Sequence, residues 1–218
     1  NALGDTEVSI GYSSAVEVAT LALDHLQPPA ARHGRIMVLE VMGRDAGHIA
    51  LASGVAGGAD VILLPEIPYS LDRVVEHLER SKAGGRNFAL VVVAEAVKDE
   101  AGHAVTGASA GAGSYGGIGH VIAQRLAERT GWESRVTVLG HLQRGGQPDA
   151  RDRIMAQVFG VHAVDLIAQG RFDRMVGWSS RNVVSVPLAE AVAHYKAVEP
   201  EGALVRTARG LGISLGDA

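Results

Sequence analysis

The residues able to do chemistry in this chain fall at the ends of short apolar runs. Met42-Gly43-Arg44 follows the run Arg35–Val41, Glu95 follows Phe88–Ala94, and His141-Leu142-Gln143-Arg144-Gly145-Gly146 follows Arg135–Gly140. A guanidinium presents a rigid fork of donors that matches phosphate oxygens, and an imidazole adds another donor. A carboxylate accepts hydrogen bonds from sugar hydroxyls, and glycines let the backbone approach a ligand closely. In open parallel sheets, ligands bind beyond the carboxyl ends of strands. Met42–Arg44, Glu95 and His141–Arg144 all take that position, and their types suit a phosphorylated polyol. Arg35 and Arg135 open their runs, so they belong to the opposite edge of the sheet. There they reach such a ligand only across a subunit interface, or they are plain surface charges.

Other motifs carry less. Gly107-Ala108-Ser109-Ala110-Gly111 fits G-x-S-x-G, but a nucleophile elbow needs a strand running straight into it. The residues before it, Gly102-His103-Ala104-Val105-Thr106, make a poor strand. Gly111-Ala112-Gly113-Ser114-Tyr115-Gly116 fits G-x-G-x-x-G, the basis for reading an NAD-dependent oxidoreductase. No apolar strand abuts it, as a dinucleotide loop requires. A Walker A loop is absent, since no Gly-Lys-Ser/Thr occurs. The histidines are scattered, with no H-E-x-x-H and no close pair, so the sequence predicts no protein-held metal.

The elements that position these groups follow from periodicity. Glu7–Leu26 carries apolar residues at helical spacing, and Pro28-Pro29 is expected to stop it. Strand Arg35–Val41, helix Asp45–Ala56, strand Val61–Leu64, helix Leu71–Lys82 and strand Phe88–Ala94 come next. The glycine-rich stretch Lys98–Gly117 reads as a loop, then helix Ile118–Arg129 and strand Arg135–Gly140. Asp152–Ala168 is expected to be the longest helix, with Ile154, Val158, Val161, Val164 and Ile167 on one face. A strand at Val183–Val186, a helix at Leu188–His194 and a fraying tail from Gly202 complete the prediction. Strands alternating with helices at this rhythm mean parallel pairing with helices on the faces, an α/β fold.

Composition removes whole classes. The 218 residues are 47% hydrophobic and 20% charged, which is globular. A net charge of −4 and 4% aromatic residues argue against nucleic acid as a partner. Cysteine is absent, which excludes disulfides, thiolate metal sites and cysteine nucleophiles. No apolar run approaches ~18 residues, so no membrane span is expected. Of the 20 basic residues only Lys82, Lys98 and Lys196 are lysine. The first residue is Asn1, with no signal-peptide pattern, so an interior fragment of a longer cytoplasmic chain is expected.

Taken as blocks, the chain resembles the 6-phosphofructokinase family. The matching pieces are Asn1–Ala15, Arg35 with Val41-Met42-Gly43-Arg44, Ala56-Gly57-Gly58-Ala59-Asp60, Pro65-Glu66-Ile67-Pro68, Val93-Ala94-Glu95, and Arg135–Pro148 with Asp152-Arg153. They come in family order over roughly residues 1–195, and the last block, Arg135–Pro148 with Asp152-Arg153, is highly specific on its own. The resemblance implies three-layer parallel sheets with helices on both faces. It implies a mainly sugar-phosphate-binding domain over 1–142, a segment returning to the nucleotide-binding domain over 143–195, and a C-terminal tail over 196–218. It also implies phosphoryl transfer to the 1-hydroxyl of fructose 6-phosphate, from ATP or pyrophosphate with Mg2+. The residue roles are implied in the same way. Arg35 and Arg135 would hold the 6-phosphate of sugar bound in a neighbouring subunit of a homodimer or homotetramer. His141 and Arg144 would bind that phosphate from within the subunit, Met42, Gly43 and Glu95 would contact the sugar, and Arg44 would stabilise the phosphoryl group in flight. The family's donor loop and its Thr-Ile-Asp segment are expected before Asn1. Ala2 departs from the family's Asn-Asp, which keeps a catalytically weakened or regulatory sugar-phosphate-binding relative as the alternative.

Overall fold

Continuous apolar runs cannot face water on either side, and the two longest of them become the central strands. A computed structural model of the chain describes residues 3–105, 115–193 and 195–217. Strands β1 (Ile36–Val41) and β3 (Ala89–Ala94) are buried at every position and pair in parallel, Ile36 with Ala89 through Val41 with Ala94. β2 (Val61–Leu63) and β4 (Ser134–Val138) flank them, giving a parallel sheet in the order β2-β3-β1-β4.

Helices cover both faces. α1 (Tyr12–His33) and α2 (His48–Ala56) pack on each other and over β1 and β3. α4 (Ile118–Thr130) lies against β1 and β4, with α3 (Leu71–Ala83) beside it. The connection from β1 to β2 passes over β3, and that from β3 to β4 passes back over β1. The chains leaving the adjacent strands β1 and β3 therefore turn to opposite faces. A crevice opens at such a reversal, beyond the carboxyl ends of the strands.

Several expectations are corrected. Pro28 and Pro29 do not stop α1 but lie inside it, and the helix ends at Gly34, whose φ of +63 suits a glycine C-cap. The prolines deprive the carbonyls of Asp24 and His25 of helical donors, and both residues are exposed, so water can replace the lost bonds. Packing decides the matter, because Ala30, the very next residue, is fully buried. α1 is thereby 22 residues long and exceeds the 19 of α5 (Ala150–Ala168). α5 turns Asp152, Met155 and Leu166 inward, whereas Ile154, Val161, Val164 and Ile167 stand outward at 59–64% exposure.

The late strand pairs antiparallel. β6 (Asn182–Pro187) forms a hairpin with β5 (Arg174–Ser179), a strand whose mixed residues Arg174-Met175-Val176-Gly177-Trp178-Ser179 hid it from the apolar pattern. α6 (Leu188–Ala193) follows. The tail does not fray. α7 (Ala203–Gly210) buries Val205 and Ala208, and Ser214 exchanges backbone bonds with Asp60 and Ile62 along the open edge of β2. Ile213 and Leu215 are buried with it, so the tail caps an edge that would otherwise be unpaired.

Candidate functional site

Two side chains, from the ends of the two strands beside β1, fasten the loop that follows it. The Met42 N–H donates to Gln143 Oε1 at 2.7 Å. The N–H groups of Gly43 and Arg44 both donate to Glu95 Oε1, at 3.1 and 2.8 Å. Glu95 is the first residue after β3, and its own N–H donates to the Val41 carbonyl. A single carboxylate oxygen thus crosses the reversal between β1 and β3. It holds Arg44 at φ +53, a left-handed conformation that a residue with a Cβ seldom adopts. Strain of this kind persists where the surroundings over-determine it and clusters at functional sites.

The loop forms one wall of a cavity of about 850 Å3. Met42, Gly43 and Arg44 line it together with Gln143, Arg144, Gly145 and Gly146, and the start of α1 with Asp152 and Arg153 of α5 adds to the lining. The volume is that of a small-molecule site. Arg44 is 89% exposed in its side chain, with Nε 3.7 Å from the Asp45 carboxylate. Asp45 in turn accepts the Tyr115 hydroxyl at 2.7 Å, a bond that pushes the Tyr115 pKa up. His141 is exposed on the same 3₁₀ turn as Arg144, Gly140–Arg144, but does not line the cavity. Glu95 stands behind the wall rather than in it.

Two helix starts are tied together at the cavity floor. The Ser14 N–H and hydroxyl of α1 both donate to Asp152 Oδ2 of α5, at 3.1 and 2.5 Å. Asp152 is only 2% exposed, and these donors satisfy its buried Oδ2. Asp149 caps α5 by accepting the Asp152 N–H at 2.7 Å, which holds the Asp149 carboxyl below its ordinary range.

Arg35 and Arg135 lie at the far end of the sheet. The register sets Ile36 beside Ser134, so the two arginines flank Glu133. Arg35 Nε donates to Glu133 Oε2 at 2.6 Å, and Arg135 donates to the other carboxylate oxygen. The Arg35 bond, more than any other influence, lowers the Glu133 pKa. The six residues of β1, at ~3.3 Å each, separate this pair from Met42–Arg44 by roughly 20 Å. The structure therefore brings Met42, Gly43, Arg44, Glu95 and Arg144 together, with His141 nearby, and keeps Arg35 and Arg135 apart from them.

Sequence reasoning passed over three residues. Gln143 was hidden in plain view inside His141–Gly146. Glu133 precedes β4 with no pattern to mark it. Glu40 carried the clearest signal, a lone acid in an apolar run. It is 2% exposed and accepts the N–H groups of Gly117 and Gly119 at 3.0 and 2.7 Å, where α4 begins. The G-x-S-x-G residues and most of G-x-G-x-x-G lie outside the described residues, as do Asn1, Ala2 and His194. Among the described residues no cluster of three or more His, Asp or Glu could hold a metal, and no helix is long and apolar enough to cross a membrane.

Residues 1–167 match the family described as Phosphofructokinase. Over all 218 residues the chain is 56% identical to the ATP-dependent 6-phosphofructokinase 1 of Synechocystis sp., and it spans 60% of that protein. It is 49% identical over 205 residues to the pyrophosphate–fructose 6-phosphate 1-phosphotransferase of Amycolatopsis methanolica, covering 92% of this chain and 60% of that one. Among solved structures, that of phosphofructokinase from Saccharomyces cerevisiae superposes with a TM-score of 0.76 at 28% identity, covering 100% of this chain and 28% of that one. The chain thus spans about 60% of the length of the curated relatives it matches. With a family match over more than three quarters of its residues and the sheet order and loop geometry described above, the chain belongs to the phosphofructokinase family.

Proposed function

We propose that the protein transfers a phosphoryl group to the 1-hydroxyl of fructose 6-phosphate, and that this chain carries the sugar-phosphate half of the site. What supports the reading is the meeting of Met42–Arg44 with Gln143–Gly146 on one cavity of about 850 Å3, beside Glu95. Arg144 and His141 bind the 6-phosphate, since a guanidinium fork and an imidazole both donate to phosphate oxygens. Met42 and Gly43 contact the sugar from the wall that Glu95 fastens from behind. Arg44 stabilises charge on the phosphoryl group in transit, the main task left to protein in such transfers. Its exposed side chain and pinned backbone fit that role, because the guanidinium swings over the cavity from a fixed point.

Arg35 and Arg135, roughly 20 Å from Arg44 along β1, serve a second copy of the chain. A two-fold-related neighbour in a homodimer or homotetramer presents them to its partner's 6-phosphate, where Glu133 now sits. Residues 3–105 and 115–142 form the sugar-phosphate unit. Residues 143–195 return to a donor-binding unit, as the resemblance implies. Mg2+ would enter with the donor, and no step is assigned to it because the described residues offer it no cluster of ligands.

The test uses the complete gene product with fructose 6-phosphate, Mg2+ and either ATP or pyrophosphate. Fructose 1,6-bisphosphate formed with either donor supports the reading, and ATP is the first arm because the relatives named for it reach the higher identity. Binding of fructose 6-phosphate without turnover would replace it with a sugar-phosphate-binding, regulatory role. Neither binding nor turnover overturns it.

A further inference from the structure

The β1–β4 ladder stops before the site, and one side chain continues it. The last paired residues are Glu40 and Val138, after which the Leu139 N–H donates to the Glu40 carbonyl at 3.1 Å. The chain then coils into the 3₁₀ turn Gly140–Arg144, and no backbone of β4 remains to face Met42. Gln143 fills that place. Its amide accepts from the Met42 N–H at 2.7 Å and donates toward the Met42 carbonyl at 3.4 Å, mimicking a peptide of the missing strand. The side chain is 3% exposed while its neighbours Leu142 and Arg144 are exposed. A turn otherwise open to water has therefore turned this one polar group inward.

The consequence lies in what the two partners carry. Gln143 shares its turn with His141 and Arg144, and Met42 is two residues from Arg44. With Glu95 holding the next two N–H groups, three successive backbone donors are fixed by side chains from both neighbouring strands. We propose that Gln143 is a positioning residue for phosphoryl transfer, setting the separation between the phosphate-binding turn and the Arg44 loop. The inference rests on the function proposed above. A substrate held at its 6-phosphate and reacting at its 1-hydroxyl is sensitive to this separation, because a misplacement of ~1 Å costs on the order of 10²-fold in rate.

The experiment compares Gln143→Met and Gln143→Glu in the complete protein. Methionine keeps the length and bulk of the side chain and removes both hydrogen bonds. Glutamate keeps the acceptor for the Met42 N–H. Gln143→Met is expected to lower kcat by about 10²-fold, with KM for fructose 6-phosphate within about threefold and a near-native melting temperature. Gln143→Glu is expected to recover at least about tenfold of that loss, since the shorter bond survives. Amide hydrogen exchange over residues 42–44 is read in parallel and should accelerate in Gln143→Met and return toward native in Gln143→Glu. Unchanged kcat, a loss confined to KM, or exchange that does not change overturns the proposal. If Gln143→Met fails to fold, Gln143→Glu alone decides, and a kcat loss beyond about tenfold with native exchange at residues 42–44 overturns it. Should the native protein turn over no fructose 6-phosphate, the proposed function falls and so does the catalytic role of Gln143, while exchange still reports whether it holds the loop.

Discussion

Glu95 holds Arg44 by its backbone rather than by its charge: Oε1 accepts the Arg44 N–H at 2.8 Å while the Arg44 guanidinium remains 89% exposed in its side chain. The anchor and the working group are separated by the length of the side chain. A residue kept at φ +53 by a neighbouring carboxylate, with its exposed guanidinium beside the Asp45 carboxylate, fits the role proposed for Arg44.

That arrangement predicts the kinetics of Arg44→Ala in the complete protein. A group that acts chiefly in the transition state lowers kcat when removed and changes substrate affinity little. The expected loss is about 10³-fold in kcat, the order seen for arginines that stabilise a transferring phosphoryl group. Steady-state kinetics against fructose 6-phosphate make the check. A rise in KM with native kcat would make Arg44 a ground-state phosphate clamp.

Glu133 supplies a pH-dependent prediction. Its hydrogen bond from Arg35, helped by the charge of Arg135, depresses its pKa in the folded chain. A carboxylate depressed on folding stabilises the protein above its unfolded pKa, ordinarily about 4.3 for Glu, and that contribution fades as pH falls through the folded value. Denaturation midpoints of native protein and Glu133→Gln should differ at neutral pH and converge in acid. A carboxyl resonance for Glu133 titrating at or above about 4.3 would contradict the bridge.

Much of this was legible in the sequence. Apolar runs set β1, β2 and β3, which are buried at every position with Glu40 the one acid among them, whereas the edge strand β4 is partly exposed and mixed in sequence. The rim residues Met42–Arg44, Glu95 and Arg144 came from knowing that strand ends bind ligands. What escaped was long-range. Pro28 and Pro29 obey local rules that the burial of Ala30 overrides, and the tail looked featureless because Ile213 and Leu215 matter only beside β2. Gln143 is indistinguishable by type from any surface glutamine, and only the end of β4 opposite Met42 gives it a purpose.

Glu40 tests the packing beneath the site. It is an acid in a buried strand, and its two oxygens take the N–H groups of half-buried Gly117 and buried Gly119 where α4 begins. Glu40→Gln keeps one acceptor and sets an amide NH2 against the other donor. A lost bond to a charged group, with a donor left buried, costs about 1.5–3 kcal/mol. A urea midpoint lowered by that amount with an unchanged slope is the expected result. A native midpoint would mean that α4 does not depend on Glu40.

The most demanding prediction concerns the two arginines at the far end of β1. Arg135 is bound to Glu133 and stands roughly 20 Å from Met42–Arg44, so one chain cannot bring Arg135 and Arg144 onto one small phosphate. If a two-fold neighbour supplies Arg135, each site draws Arg144 from one subunit and Arg135 from the other. Arg135→Ala and Arg144→Ala should each weaken fructose 6-phosphate use by tenfold or more, since a charge-assisted bond to phosphate contributes ~1.5–3 kcal/mol. In a mixed dimer one site then has both arginines and the other has neither. Random exchange makes half of the dimers mixed, so about a quarter of native activity should return to a blend of two impaired proteins. Activity at sub-saturating fructose 6-phosphate, followed after subunit exchange verified by mass spectrometry of differently tagged chains, gives the answer. No recovery in verified mixed oligomers would place both arginines in the same chain's site, or leave Arg135 as a partner of Glu133 alone.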